Sequence, residues 1–520
     1  MTPRFVACAM DTNQARICVP VCAQTVTEVE HASVEAAQAG DIVEIRVDCL
    51  EGFSSIELIH TASLIQKAGR AVIVTFRAAD QGGNGAASLA ERQQFWNIAI
   101  ALFREERLDI ELDVAQTLLD NASTPPDWKR VICSHHDFTG VPRDLGQIYE
   151  RLASTPAGIL KIAFKANDVT DCLPVFQLLA RASSEGREIV AIAMGPAGIA
   201  TRILGPSRGS YLTYGALDSE RSTAPGQVTG RDLRELYRVD RINSRTQVSG
   251  LVGLPVGHSI SPSVHNAAFA AKGIDAVYIP FEVHDLKSFC KRMVHPRTCE
   301  LDWNLRGLSV TAPHKTTVID FLDWVDPTAK EIGAVNTIVI DGDGLRGYNT
   351  DALAVLRPVT EKLGPLRDAR CAIIGAGGAA NAVLWSLKSE GADATVFARD
   401  QEKGRAVAEK FGAGFVRLEA ASFKKFDFVI NATPLGTRGS LEGETPASSE
   451  QLRGARLAYD LVYNPSETRF LRQAREAGCD TIGGLTMLVL QAAEAFKLWT
   501  GIDAPLAVMR AAAQRALARF

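Results

Sequence analysis

Eight apolar runs rich in β-branched residues recur through roughly the first 220 residues, with helix-like segments between most of them. They read "ARICVPVCA", "DIVEIRVD", "AVIVTFR", "LDIELDV", "RVICSHHDF", "GILKIAFK", "EIVAIAMG" and "YLTYGAL". Segments such as "SLAERQQFWNIAIALFREE" and "DVTDCLPVFQLLARASSEG" separate them. Strands alternating with helices pair in parallel through right-handed crossovers. Eight such units in this length predict a closed (β/α)8 barrel. A ninth unit or an open sheet is the alternative, because strand limits read from sequence are soft.

At 520 residues the chain is too long for one core. The barrel predicted over 1–243 ends in a polar helix, "RDLRELYRVD", and a linker at Asn243, Ser244 and Arg245. A strand then opens at Val248. Strand–helix alternation continues, with a glycine-rich turn late, in "CAIIGAGGAANAVLWSLKSEG". We therefore expect a smaller α/β unit over 247–350, completed by C-terminal helices at about 485–520. A Rossmann-like nucleotide-binding unit is expected over 351–484, hinged near Asn349 to Leu356. Net charge is −4, so no basic field favours nucleic acid. No apolar run reaches the roughly 18–20 residues that cross a bilayer. The start, "MTPRFVACAM", lacks the pattern of a leader. The expected place is the cytoplasm, or a plastid if a transit segment has been removed. The ten cysteines are scattered without a CxxC pair, which predicts free buried thiols in a reducing compartment and no metal site.

Lys161 stands in the middle of "GILKIAFK". It either snorkels to water or is buried, and a buried ammonium is paired or has a lowered pKa. A neutral amine can attack a carbonyl. The neighbouring strand ends are also ionisable. Glu44 and Arg46 share a face, Arg77 ends strand three, and Asp109, Glu111 and Asp113 alternate along strand four. His135 and His136 end strand five, and Arg202 follows strand seven. In a barrel these ends meet at one mouth. A lysine among arginines there loses its proton readily. An imine at Lys161, with His135 or His136 taking a proton from the adjacent carbon, predicts an aldolase or an elimination enzyme acting on a ketone. The arginines predict a carboxylate or phosphate on the substrate.

"EIRVD", "TFR", "SHHDF", "LKIAFK" and "TAPGQ" together resemble type I 3-dehydroquinate dehydratase over nearly the whole first half. The resemblance implies that Lys161 forms the imine with 3-dehydroquinate and that His136 transfers the proton. It places Glu44, Arg46, Arg77, Arg202, Thr223 and Gln227 at substrate-contact positions. Gln81 stands where the family often has glutamate, and Thr223 where it has serine.

In the second half, "VGHSISPSVHN" sets Ser259 and Ser261 on one side if the stretch is extended; capping a helix is their other use. "GLSVTAPHK" brings Thr311 and Lys315, "GAVNTI" brings Asn336, and "GYNTD" brings Asp351. In "IIGAGGAA", Gly375, Gly377 and Ala380 match a dinucleotide fingerprint between strand and helix. At the end of the next strand, Ala398 and Arg399 stand where NAD-binding proteins carry an acid, and a cation there suits the 2′-phosphate of NADP. Asp400, next in sequence, weighs against NADP unless it points elsewhere.

These motifs, with "NATPLG", "DLVYNPSET" and "GGLTMLVLQAAEAF", resemble shikimate dehydrogenase from about Val248 onward. The resemblance implies a catalytic pair, Lys315 and Asp351. It implies substrate contacts at Ser259, Ser261, Thr311, Asn336, Tyr463 and Gln491. Gly375, Ala376, Gly377, Gly378, Ala379, Arg399, Lys403 and Thr433 would hold NADP. Tyr348 departs from the aspartate many relatives carry. The product of the first reaction is the substrate of the second, so the two halves point to a bifunctional enzyme of the shikimate pathway, a monomer or weak homo-oligomer. Its rivals are NAD-linked quinate or shikimate oxidation, an aldolase, and a non-catalytic sensor of the same intermediates.

Overall fold

The computed structural model describes residues 5–6, 15–51, 60, 69–84, 87–121, 125–218, 221, 223, 224 and 226–519. The opening decapeptide read for a leader lies outside them, residues 5 and 6 excepted.

Each of the eight apolar runs supplies a strand. They are β1 (Ile17–Val21), β2 (Ile42–Arg46), β3 (Ala71–Thr75), β4 (Arg107–Glu111), β5 (Val131–Asp137), β6 (Ile159–Lys165), β7 (Glu188–Met194) and β8 (Thr213–Tyr214). All pair in parallel, in chain order from β1 to β7, with β8 against β1. An isolated parallel bridge, Ile189 to Ser210, spans the seam between β7 and β8. The result is a nearly closed parallel barrel. Its helices begin where capping boxes satisfy free N–H groups, as at Thr25 with Glu28 and Ser88 with Glu91.

Alternate strand residues face inward. Cys18, Ile42, Ile73, Ile132, Ile159, Val190 and Leu212 fill the barrel interior with apolar side chains. Two residues further along four of these strands stand Glu44, Thr75, Ser134 and Lys161, with Asp109 of β4 in register with Thr75, all buried. The apolar plug thus forces these polar groups to satisfy one another. Asp113 departs from expectation. β4 stops at Glu111 and a helix, Leu112–Asn121, begins at once, so Asp113 sits in its first turn rather than on the strand.

The cysteine reading also needs correction. Cys22 and Cys49 form a disulfide, with Cα atoms 5.4 Å apart. They lie 27 residues apart in sequence, but β1 and β2 are neighbours, so the segments leaving them bring the two thiols together. Cys18, Cys133, Cys172, Cys290, Cys371 and Cys479 are free and buried, and Cys299 is half-buried.

The second sheet comprises β9 (Gln247–Gly253), β10 (Ala276–Glu282), β11 (Leu305–Val310), β12 (Trp324–Val325), β13 (Thr337–Asp341) and β14 (Gly344–Tyr348). Its order is β10-β9-β11-β13-β14-β12. The third comprises β15 (Arg370–Ile374), β16 (Asp393–Ala398), β17 (Gly414–Arg417), β18 (Phe428–Asn431), β19 (Leu457–Asp460) and β20 (Asp480–Ile482). It is parallel throughout, in the order β17-β16-β15-β18-β19-β20. The strand order reverses between β15 and β18, where doubly wound sheets bind ligands. Helices Leu485–Thr500 and Leu506–Leu517 return to pack with helix Ser261–Ala271 beside the second sheet.

The linker is a folded turn. Asn243 and Thr246 both bond Asp275, at 3.2 and 2.7 Å. One apolar cluster runs from the barrel into β9, β10 and β11. Phe5–Val6 pairs in parallel with Leu301–Asp302. Asp168, beyond β6, accepts the N–H groups of His284 and Asp285 at 2.8 and 3.1 Å. No described helix is long and apolar enough to cross a membrane.

Peptide mapping of the unreduced, denatured chain should recover Cys22 and Cys49 in one disulfide-linked species; finding both as free thiols would show that they are not bridged.

Candidate active sites

The inward layer of the barrel is organised by Asp109. Its Oδ1 accepts from Ser134 Oγ at 2.5 Å and faces Arg77 Nη2 at 2.8 Å. Its Oδ2 accepts from Lys161 Nζ at 2.7 Å. Burial alone would push this carboxyl up; Arg77 and Lys161 overcome it and hold the group far below the usual carboxylate range. Lys161 also donates to Tyr214 Oη at 2.8 Å and lies 3.6 Å from Glu44. It is buried and does not snorkel. The lysine's close charged partners are therefore carboxylates, not the arginines expected from the sequence.

The arginines are held elsewhere. Arg46 forks onto Asp48 at 2.9 and 2.7 Å. Asp48 also takes the backbone N–H groups of Arg77 and Asn84, each at 3.1 Å, so it ties down the turn after β3. Arg202 is different. Its guanidinium is buried, donates to Tyr214 O at 3.2 Å, and has no carboxylate within ion-pair distance among the described residues. Burial pulls its pKa down to about 10.

His136 lies on the inward face of β5. Burial, reinforced by Arg77 and Lys161, holds its imidazole well below the usual value, so it is neutral at neutral pH. Its Nδ1 is buried without a hydrogen-bond partner among the described residues. His135 points to the helix side, where Asp137, Arg151 and Asp144 are its charged neighbours. Gln81 accounts for itself: its Oε1 accepts the backbone N–H of His136 at 3.0 Å. Gly82, at φ +82°, completes that turn, where a Cβ would meet the Phe138 ring at 2.2 Å.

A tight cavity of about 60 Å³ is lined by Glu44, Arg46, Arg77, His136, Lys161, Arg202, Thr223 and Gln227, all eight expected residues, and by Gln81 and Tyr214. Thr223 and Gln227 bond each other at its rim, N–H to Oε1 at 3.0 Å. Tyr214 and the anchoring role of Asp109 went unread in the sequence. Tyr214 belongs to a two-residue strand with no periodic signal.

A second cleft, of about 1020 Å³, lies between the second and third sheets. Ser259, Ser261, Thr311, Lys315, Asn336, Asp351, Tyr463, Gln491, Ala379 and Thr433 line it. Lys315 Nζ donates to Asp351 Oδ2 at 2.6 Å. Lys315 follows β11, and Asp351 sits in the first turn of helix Thr350–Val355, capped by Asn349. Ser259 and Ser261 hydroxyls meet at 3.1 Å. They meet because a helix begins at Ser261, not because the segment is extended. Asn336 is engaged with Thr350, and Gln491 with Leu488 O. Ser309, two residues before Thr311 on the same strand face, also lines the cleft, and the alternation could have revealed it. Tyr348 packs its ring 5.5 Å from Trp324, away from this lining.

The glycine turn lies beyond the lining. Gly375 has φ +121°, and a Cβ there would meet Ala432 O at 3.0 Å. Helix Gly378–Glu390 starts from Gly377, so its first N–H groups face the turn. This strand, left-handed glycine and helix start fit a dinucleotide pyrophosphate. A Cβ on Gly378 would lie 3.9 Å from Lys315, which puts the turn beside the lysine–aspartate pair. Thr433 is fixed by Asn431, and Asn431 by buried Asp460, whose carboxyl burial raises to about 6. Arg399 and Lys403 are exposed at and after the end of β16.

Residues 17–244 match the family model for type I 3-dehydroquinase. Residues 251–338 match the shikimate dehydrogenase substrate binding domain, 358–444 shikimate/quinate 5-dehydrogenase, and 484–514 the shikimate 5′-dehydrogenase C-terminal domain. A chloroplastic bifunctional 3-dehydroquinate dehydratase/shikimate dehydrogenase of Arabidopsis thaliana is 35% identical over 515 residues, 95% of this chain and 83% of that protein. A shikimate dehydrogenase (NADP(+)) of Methanothermobacter thermautotrophicus is 39% identical over 54% of this chain and 99% of its own length. A crystal structure of a shikimate dehydrogenase in complex with NADP+ is 38% identical, covers 53% of this chain and 96% of that chain, and has a TM-score of 0.49.

Replacing Asp109 by Ala strands Arg77 and Lys161 in the barrel interior. Denaturant unfolding should show a loss of about 3–5 kcal/mol; a loss under about 1 kcal/mol would mean that the network does not hold the barrel.

Proposed function

The chain belongs to the family of bifunctional 3-dehydroquinate dehydratase/shikimate dehydrogenases, and on that premise we propose which of its residues carry each reaction. The dehydratase is assigned to the barrel, 1–243. The reductase is assigned to 247–350 with the terminal helices from about 485, and to the nucleotide-binding unit at 351–484.

The observation that carries the first assignment is the cavity between Lys161 and Arg202. Arg202 supplies a buried positive charge, suited to the carboxylate of 3-dehydroquinate. Thr223 and Gln227 close over it from the rim. The ketone then faces Lys161. The ammonium proton has Glu44 to receive it, directly across 3.6 Å or through the Tyr214 hydroxyl, which accepts from Lys161 and donates to Glu44. The freed amine adds to the ketone carbon, and loss of water gives an iminium. The iminium withdraws electrons from the adjacent carbon, and neutral His136 takes the proton there. The hydroxyl on the next carbon leaves as water with that proton. Hydrolysis of the imine returns Lys161 and releases 3-dehydroshikimate. Glu44 and Arg46 hold substrate hydroxyls, and Asp48 and Gln81 keep Arg46 and His136 in place.

In the reductase, Ser259, Ser261, Thr311, Asn336, Tyr463 and Gln491 bind the substrate's polar groups. Gly375 to Ala379, Arg399, Lys403 and Thr433 hold NADP. When bound, NADPH supplies hydride to the ketone carbon. Lys315 gives a proton to the oxygen as negative charge develops, and Asp351 holds the ammonium toward it. We place the enzyme in the cytoplasm, with a plastid kept open by its chloroplastic relative, and as a monomer or weak homo-oligomer.

Three measurements test this reading. Borohydride quenching with 3-dehydroquinate should leave a covalent adduct on Lys161 by mass spectrometry; continued dehydration without any adduct would refute the imine. The Lys315→Ala change should lower reductase turnover by about 10²–10⁴-fold with little change in NADPH affinity; unchanged turnover would remove Lys315 from the chemistry. For the dehydratase, protonation of His136 removes the base as pH falls. The acid limb of kcat/KM should therefore inflect below the ordinary imidazole value of about 6.5. An inflection above it would contradict the burial argument.

A further inference from the structure

At the end of the second strand of a dinucleotide-binding sheet, a carboxylate selects the ribose 2′-hydroxyl of NAD, whereas a nearby arginine accommodates the 2′-phosphate of NADP. This chain carries both, side by side, where β16 ends at Ala398 and is followed by Arg399 and Asp400. The structure gives Asp400 a fixed orientation. Its Oδ1 accepts the backbone N–H of Lys403 at 3.1 Å and caps helix Gln401–Phe411. Its Oδ2 lies 3.6 Å from Lys403 Nζ. The cap therefore keeps the carboxylate at the strand end, and the same carboxylate answers the lysine expected to reach the phosphate.

The neighbouring strand repeats the arrangement. Arg417, on β17, is in register with Ala398, and it faces Glu419 at 3.4 Å. Glu402 stands in the first turn of the capped helix. Of the three cations, Lys403 and Arg417 are answered by these pairs and Arg399 is not, while of the three carboxylates Glu402 has no cation in them. A 2′-phosphate arriving there gains Arg399 and meets the like charge of Asp400. An unphosphorylated ribose loses the arginine contact and gains an acceptor for its hydroxyls.

We propose that the reductase site accepts NAD(H) as well as NADP(H), and that Asp400 sets the narrow margin between them. The proposal rests on the reading that the turn from Gly375 holds the pyrophosphate. Isothermal titration of the full chain with NADP+ and NAD+ gives both dissociation constants without turnover. The two should lie within about tenfold of each other, since one exposed like-charge contact offsets one exposed opposite-charge contact. Asp400→Ser keeps a capping oxygen and removes the charge. It should tighten NADP+, weaken NAD+ and widen their ratio by about five- to tenfold. Arg399→Ala should weaken NADP+ and leave NAD+ nearly unchanged. A preference for NADP+ above about 100-fold in the unaltered protein, or an unchanged ratio in Asp400→Ser, would overturn the proposal while leaving the cofactor site in place. Binding of neither dinucleotide would overturn both readings.

Discussion

A single carboxylate, Asp109, lets the barrel keep a lysine in its interior. The apolar residues Ile42, Ile73, Ile132 and Ile159 exclude water from below, so any charge above them needs an internal partner. Asp109 gives one oxygen to Arg77 and Ser134 and the other to Lys161. The three strands that carry these partners are thereby bound through their side chains as well as their backbones. Tyr214 and Glu44 extend the same network from β8 and β2 around the ring. The network that holds the cylinder together is also the one that presents the amine.

The remaining charges follow a division of labour. Asp48 immobilises Arg46 and ties down the loop after β3. Arg202 is buried, bonds Tyr214 O and has no carboxylate partner among the described residues. In the second cleft the logic is simpler. One lysine and one carboxylate face each other at 2.6 Å, supplied by a turn after β11 and by a capped helix, beside the glycine turn. There Asn336, Asp351 and Ser261 are buried in the wall, while Lys315 is half-buried and reaches into a wide cleft.

Much of this was legible in the sequence, for a physical reason. Parallel strands buried on both faces must be nearly continuous apolar runs, and all eight runs became barrel strands. Ionisable residues breaking such runs at strand ends stand out, so Glu44, Arg46, Arg77, Lys161 and Arg202 of the first cavity could be named from the residues, while the family resemblance chose His136 and added Thr223 and Gln227. What escaped was set by neighbours distant in sequence. Nothing local marks Cys22 and Cys49 as partners. Tyr214 reaches Lys161 because β8 closes the ring against β1, a consequence of topology. Asp113 was misplaced because β4 turns into a helix without a breaker residue. Ser259 and Ser261 meet, but through a helix start rather than strand alternation. Gln81, which looked like a lost charge, serves through a backbone contact that side-chain identity alone does not announce.

The apolar cluster that continues from the barrel into the second sheet has a consequence for the history of such a molecule. Two catalysts joined by a loose tether can be cut apart, exchanged or reordered by recombination, because each half already has a finished exterior. Here a cut at the linker lays bare greasy walls on both fragments, and Asp168 loses the turn it grips. Fission would demand new polar coats on two faces at once, so inheritance as a pair is the route of least change.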